Sequence, residues 1–284
     1  MKDFVSRFFK ILSRDKFAIV SAFILIFWIT IAFFPIIIPY FANIPLVLQE
    51  RLASPSSKFW LGVDGNGQSV SLLIMNGAST SLIVSLFTVS MSLFVGIPLG
   101  AIAGFFGGKI DILISRFIDI LLAFPPMVLP IAIMAFFGGG LLNVVIALSL
   151  TGWVSYARVV RGQFLSFKER EFVVAAQSLG ASPTRVMFKH IFPNTISPLA
   201  VQATFSLAGV IIAEAGLSFL GLGVSQSHVS WGGLLNSARD YLTTNPTLAF
   251  FPAIALFSVV ASLNFIGETL RLTFDPKSIG AGRM

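Results

Sequence analysis

The sequence predicts an all-α membrane protein with six transmembrane helices and a cytoplasmic helix–turn–helix loop. Three observations carry that expectation. Of 284 residues, 56% are hydrophobic and only 11% are charged, whereas soluble domains carry about 25% charged residues. Mean hydropathy is correspondingly high, at +0.90. Several charge-free runs reach the roughly 20 residues that a helix needs to cross the hydrocarbon core, and the basic residues collect between alternate runs.

Residues 17–40 carry no charge and follow Lys2, Arg7, Lys10, Arg14 and Lys16. A basic start before an apolar run resembles a signal peptide. This run exceeds the roughly 7–15 residues of a signal sequence and lacks a small-x-small cleavage site, so it reads as a first, uncleaved span. The second span is residues 79–106. A third begins near Phe117 and a fourth ends near Ala157, separated by a turn at Phe136-Phe137-Gly138-Gly139-Gly140, since consecutive glycines punctuate helices. The fifth covers residues 196–222 and the sixth residues 247–267. Two long external loops, 41–78 and 223–246, are rich in Gly, Ser and Asn. They contain Trp60 and Trp231 respectively, as suits partly folded caps at the interface.

With the N-terminus in the cytoplasm, every Lys and Arg except Arg51, Lys58 and Arg239 falls on the cytoplasmic side. That asymmetry follows the positive-inside rule. It accounts for the net charge of +7 and removes the argument for nucleic-acid binding. Both termini are then cytoplasmic, in a multi-pass protein of the plasma or inner membrane. The chain divides into an N-terminal cytoplasmic segment (1–16), the first span with its external loop (17–78), a five-helix core (79–271) containing a cytoplasmic loop at 167–194, and a tail (272–284).

The chemistry open to this chain is narrow. It has no cysteine, and His190 and His228 lie far apart in sequence, so no metal-ligand spacing is present. The segment Gly104-Phe105-Phe106-Gly107-Gly108-Lys109-Ile110 has the wrong glycine spacing for a phosphate-binding loop, and no hydroxyl follows the lysine. Ser218 and His228 are the one hint of a Ser-His pair, without a supporting signature. No catalytic residue and no cofactor site is assigned.

Three features within the spans remain. Gly96, Gly100 and Gly104 lie on one helix face, where a neighbouring backbone can approach closely, either within the chain or at a subunit interface. Asp119 can pair with Arg116 one turn away. Glu214 lies in the middle of the fifth span, where a lipid-facing carboxylate costs about 2.5–3.5 kcal/mol. It therefore faces protein or water, as a pathway or gating residue or as a carboxyl holding helices together.

The basic interlude from Lys168 to Asn194 is the most regular non-membrane segment. Residues 167–179 predict a helix with Glu169 and Glu171 in its first turn, favourable to the helix dipole. Phe172, Ala175, Ala176 and Leu179 form one apolar face, whose two alanines leave room for a foreign surface. Gly180 follows where a left-handed cap is expected. Ser182-Pro183 then starts a second helix, which ends near Ile191, before Pro193. An amphipathic pair lying on lipid headgroups is the alternative.

These residues resemble the EAA loop of ATP-binding-cassette (ABC) importer permeases: Ala175-Ala176, Gly180 four residues on, and Pro193 at the end. The resemblance extends over most of the chain and is closest to the dipeptide, oligopeptide and nickel permeases. Supporting stretches are Leu61-Gly62-Val63-Asp64, Gly96-Ile97-Pro98-Leu99-Gly100, Tyr156-Ala157-Arg158-Val159-Val160-Arg161, residues 213–223 around Glu214, Ser230-Trp231-Gly232, Leu263-Asn264 and Asp275-Pro276. Two positions depart from the pattern. Val174 stands where the motif has Glu, with Glu171 one turn earlier as a substitute, and Gln68 stands where the external segment usually has Arg.

The resemblance implies a type I ABC importer permease fold. It also implies a second permease subunit, two cytoplasmic ATPase subunits docked on the EAA loops and binding ATP and Mg, and an external substrate-binding protein. In that scheme Glu171, Ala175, Ala176, Gly180 and Pro193 couple to the ATPase, and Glu214 is the pathway candidate. The cargo implied is di- or oligopeptide, with nickel or another small solute as alternatives. A stand-alone secondary transporter is the reading from a different class.

Overall fold

A computed structural model describes residues 7–8, 10–13, 15–224 and 228–274. Lys2, Arg14, the Asp275-Pro276 pair, Lys277 and Arg283 lie outside them. In chain order the helices used below are α1 (Lys16–Ile37), α2 (Val70–Phe106), α3 (Gly108–Leu122), α4 (Val128–Phe137), α5 (Leu141–Lys168), α6 (Glu171–Ser178), α7 (Pro183–Phe219), α8 (Trp231–Ala238) and α9 (Thr247–Phe274). Five of these, α1, α2, α5, α7 and α9, are long and apolar enough to cross a membrane. The chain is thus all-helical, and among the described residues extended pairing is limited to one bridge, Val63 to Ser69.

The third expected span is divided in two. Helix α3 stops at Leu122 and α4 starts at Val128, with Pro125-Pro126 between them. A proline lacks the N–H that a helix needs and pushes the preceding residue out of helical geometry. Two in succession interrupt the helix inside an apolar run that hydropathy alone reads as continuous. The glycine turn behaves as expected: α4 ends at Phe137, and Gly138 has φ +80°.

Helix α2 also departs from expectation, beginning at Val70 rather than at residue 79. Asn76 and Gly77 read as loop residues in the sequence. In the fold the Asn76 amide donates to the carbonyls of Leu72 (2.9 Å) and Phe41 (2.8 Å), so its polar group is satisfied within the helix. Trp60 is 79% exposed, as suits an interfacial position, but Trp231 is fully buried in the bundle.

Helices α2 and α5 are the closest pair, and the glycine series explains why. A Cβ at Gly96 would lie 2.6 Å from the Trp153 carbonyl oxygen, and one at Gly104 would lie 2.7 Å from the Phe164 Cβ. Both are closer than non-bonded carbon tolerates, so the backbones meet only because side chains are missing. Of the two uses the sequence left open for these glycines, the fold shows packing within the chain. An aromatic contact joins the start of α1 to the second half of α9, with Phe17 stacked on Phe265 at 5.7 Å.

Candidate functional site

Two sites stand out, one at each end of the bundle. At the basic end, α5 runs to Lys168 and is joined to α6 through Glu169 and Arg170. Glu169 is therefore a C-cap residue of α5 rather than a first-turn residue of the next helix, whereas Glu171 does occupy the first turn of α6. Val173 is fully buried against Phe105, Phe164, Val186 and Ile191, which fixes the orientation of the helix. The face expected to be apolar then points outward: Phe172 and Ala175 are exposed, Ala176 is half-buried, and Leu179 is 89% exposed. Val174 and Glu171, the two positions bearing on the motif's acid, are also exposed.

The stop and restart signals are realised in detail. The Ala181 amide donates to the Ala176 carbonyl (3.1 Å) and the Gly180 amide to Gln177 (2.9 Å), the two bonds of a Schellman cap. Gly180 has φ +81°, a left-handed conformation that other residues adopt at a cost. Ser182 then caps the next turn, its hydroxyl accepting from the Arg185 amide at 3.4 Å.

The second helix does not end before Pro193. A π-helical turn, Val186–Ile191, carries it directly into Phe192–Phe219, with the Phe192 amide donating to Met187 five residues back. A proline removes a donor and crowds the carbonyl four residues earlier. The wider π turn just before Pro193 places that disruption where the hydrogen-bond register is already changing. Pro193 is exposed at the start of the span, so the helix that restarts at Pro183 runs unbroken into the fifth span, while the Gly180 cap still separates it from α6.

At the opposite end, Glu214 lies near the C-terminal end of α7 rather than in mid-span, and it has no exposed surface. Ser218, one turn on, donates to its Oε1 at 2.7 Å, and Ser81 on α2 donates to its Oε2 at 2.9 Å. The Ser230 hydroxyl lies beside the same carboxyl and accepts from the Gly233 amide at 3.2 Å, which caps α8. One carboxyl group thus ties α7 to α2 beside the start of α8, and its burial is offset by hydroxyl donors.

Trp231 extends the same knot. Its indole N–H donates to the Ile74 carbonyl (3.1 Å), and its ring meets Trp28 edge-on at 5.1 Å. Gly77 leaves space for that ring, since a Cβ there would sit 2.8 Å from the indole. Gly232 likewise lies directly on the Ala215 backbone.

The structure thus gathers Glu171, Ala175, Ala176 and Gly180 on one short helix and its cap, with Pro193 beyond the π turn and Glu214 in a separate buried cluster. Sequence reasoning named Glu214, Ser218 and Ser230 without joining them, and missed Ser81. The expected Asp119–Arg116 pair is absent. Among the described residues the ion pairs are Lys58–Glu50, Arg271–Glu268 and Arg161–Asp111. The last pair joins α5 to α3.

Comparison with known proteins agrees with this architecture. Residues 96–279 match the model of the family described as "binding-protein-dependent transport system inner membrane component". The dipeptide transport system permease protein DppC of Alkalihalophilus pseudofirmus is 39% identical, over 95% of this chain and 88% of its own length. The glutathione transport system permease protein GsiD of Pectobacterium atrosepticum is 36% identical, over 93% and 88%. The oligopeptide transport system permease protein OppC of Bacillus subtilis is 35% identical, over 97% and 89%. Among solved structures, a chain of the MetNI methionine ABC transporter in an inward-facing conformation superposes with a TM-score of 0.62 at 19% identity, covering 72% of this chain and 98% of that one. That likeness concerns the fold. The family match covers more than half of the chain, and the relatives align along nearly all of it: the chain belongs to the binding-protein-dependent transport system inner membrane components, the membrane-embedded permeases of ABC transporters.

Proposed function

We propose that this chain forms half of the translocation pathway of an ATP-driven importer of di- and oligopeptides. It pairs with a second permease subunit, receives cargo from an external binding protein, and is driven by two cytoplasmic ATPases that hold the ATP and Mg. The relatives' names, which specify dipeptide, oligopeptide and glutathione transport, favour short peptides over nickel. The orientation proposed is the one the positive charges favour, with both termini and α6 in the cytoplasm.

The observation that carries the reading is α6 itself. It is anchored by one buried side chain, Val173, and presents Phe172, Ala175 and Leu179 outward. An exposed apolar patch on a rigidly capped helix is a docking surface by its chemistry. The small side chains of Ala175 and Ala176 allow a partner to approach closely. A movement imposed there reaches the membrane directly, backward through α5 and forward through the π turn into α7. Glu171 supplies the acid that Val174 does not. At the other end, Glu214 joins α2 to α7 beside the start of α8, which supports a role in keeping the external end of the pathway assembled.

The test is co-purification. The ATPase subunits are expected to be recovered with this chain, and Ala175→Arg with Leu179→Arg should abolish that recovery, since both sites are exposed and their exchange leaves the fold intact. Undiminished recovery of the ATPase by the double variant contradicts the docking role. Uptake by the chain alone, without any ATPase, makes it a secondary transporter instead.

A further inference from the structure

The corner between α2 and α3 has no steric support of its own. Gly107 and Gly108 have φ of +67° and +56°, and a Cβ added to either would meet nothing within 4 Å. Helix α3 buries only Ile118 fully, beside Trp153, Val154 and Ala157 of α5, with Ile114 and Leu121 partly buried there and Phe117 stacked on Trp153 at 6.0 Å. Those contacts are apolar and non-directional, so a helix on a two-glycine hinge takes its angle from a polar contact as well.

That role falls to the bidentate pair between Arg161 and Asp111. Arg161 Nη2 donates to Asp111 Oδ2 at 2.8 Å and Nε donates to Oδ1. Ser115, one turn along α3, also donates to Oδ1 at 3.4 Å. Seven residues further along α5, Lys168 Nζ donates to the Phe105 carbonyl at 2.8 Å and lies over the Phe105 ring. Arg161 and Lys168 therefore grip the two sides of the glycine corner from the helix that leads straight into α6. A planar guanidinium held at two oxygens fixes direction as well as distance.

We propose that the Arg161–Asp111 pair is the positioning linkage that makes α3 follow α5 when α6 is moved, so that the drive reaches the broken third span. The proposal rests on α6 being the ATPase-docking helix. Arg161 and Asp111 are positioning residues and touch no cargo.

The absence of cysteine allows spin labels at Ile120→Cys and Ser166→Cys, both exposed, in the full importer reconstituted in liposomes. In the otherwise unaltered complex the distance between them is expected to stay narrow with and without ATP. In Asp111→Asn the distribution should broaden, while the ATPase still co-purifies. Peptide uptake per ATP hydrolysed, measured with binding protein and a casein hydrolysate, should fall by about tenfold, within the usual range for coupling between sites. The reversed pair Asp111→Arg with Arg161→Asp should restore both readouts. Asp111→Glu, which keeps the charge, should stay within about twofold of the parent, and serves if the Asn variant does not assemble. An unchanged distance distribution and coupling ratio in Asp111→Asn, or failure of the reversed pair to restore them, overturns the linkage. Loss of ATPase capture by the parent complex would instead indict the docking role of α6.

Discussion

Glu214 and Asp111 are two acids in an apolar chain, and each is accommodated by a different device. Glu214 is served by hydroxyls from Ser218 and Ser81. Glu214→Ala leaves the buried Ser81 and Ser218 hydroxyls without their acceptor and should cost about 2–3 kcal/mol, read as a lower thermal midpoint of the purified complex. Glu214→Gln keeps an acceptor oxygen and the volume, and should cost about 1 kcal/mol; equal losses in the two variants would contradict the hydroxyl account. Asp111 is held below the usual carboxylate range, chiefly by its hydrogen bond from Arg161. Its stabilising contribution is present above the unfolded carboxyl value of about 3.9 and is lost as the pH falls below that through the folded value. The midpoint difference between the parent and Asp111→Asn should hold from pH 7 to pH 5 and close below about pH 4. Part of this was legible in the sequence: a buried acid in an apolar span demands partners, and Ser218 lies one helical turn away. Ser81 was not, because it is 133 positions distant. The same limit misdirected the Asp119–Arg116 expectation, which used the nearest opposite charge, while the fold pairs residues 50 positions apart.

Elements built on local chemistry were read most reliably. The glycine cap of α6, the Ser182-Pro183 restart and the Gly138–Gly140 turn follow from short-range backbone preferences, and each is present. Gly180→Ala is expected to cost about 1 kcal/mol, because the left-handed cap disfavours a Cβ. Hydrogen exchange at Ala181 and Gly180 would report it as faster opening of the cap, and no change would argue against the strained geometry. The glycine ladder makes a larger demand. Gly100→Leu places four carbons where the Ala157 and Val160 backbone and side chain already lie, and should cost about 3 kcal/mol or more, beyond ordinary overpacking, since helix backbones rather than side chains must part. Near-parental thermal stability of that variant would contradict the close α2–α5 contact. What hydropathy could not supply was the interior of the apolar runs. The Pro125-Pro126 break and the π turn at Val186–Ile191 depend on backbone hydrogen-bond register. The early start of α2 depends on Asn76 finding the Phe41 carbonyl, a partner from another segment.

At the scale of the molecule, the basic end carries an exposed helix joined to two spans, and the opposite end carries a buried knot that closes α8 onto the bundle. In the proposed importer α6 receives work done elsewhere, and the chain passes peptides only when driven. The most direct measurement is uptake of a labelled peptide mixture into proteoliposomes holding the assembled importer, with binding protein outside and ATP inside. Uptake is expected to require ATP and to vanish when Ala175→Arg and Leu179→Arg are introduced together, with the permease pair still assembled. Peptide accumulation that proceeds without ATP, or that survives the loss of the α6 surface, would contradict the account.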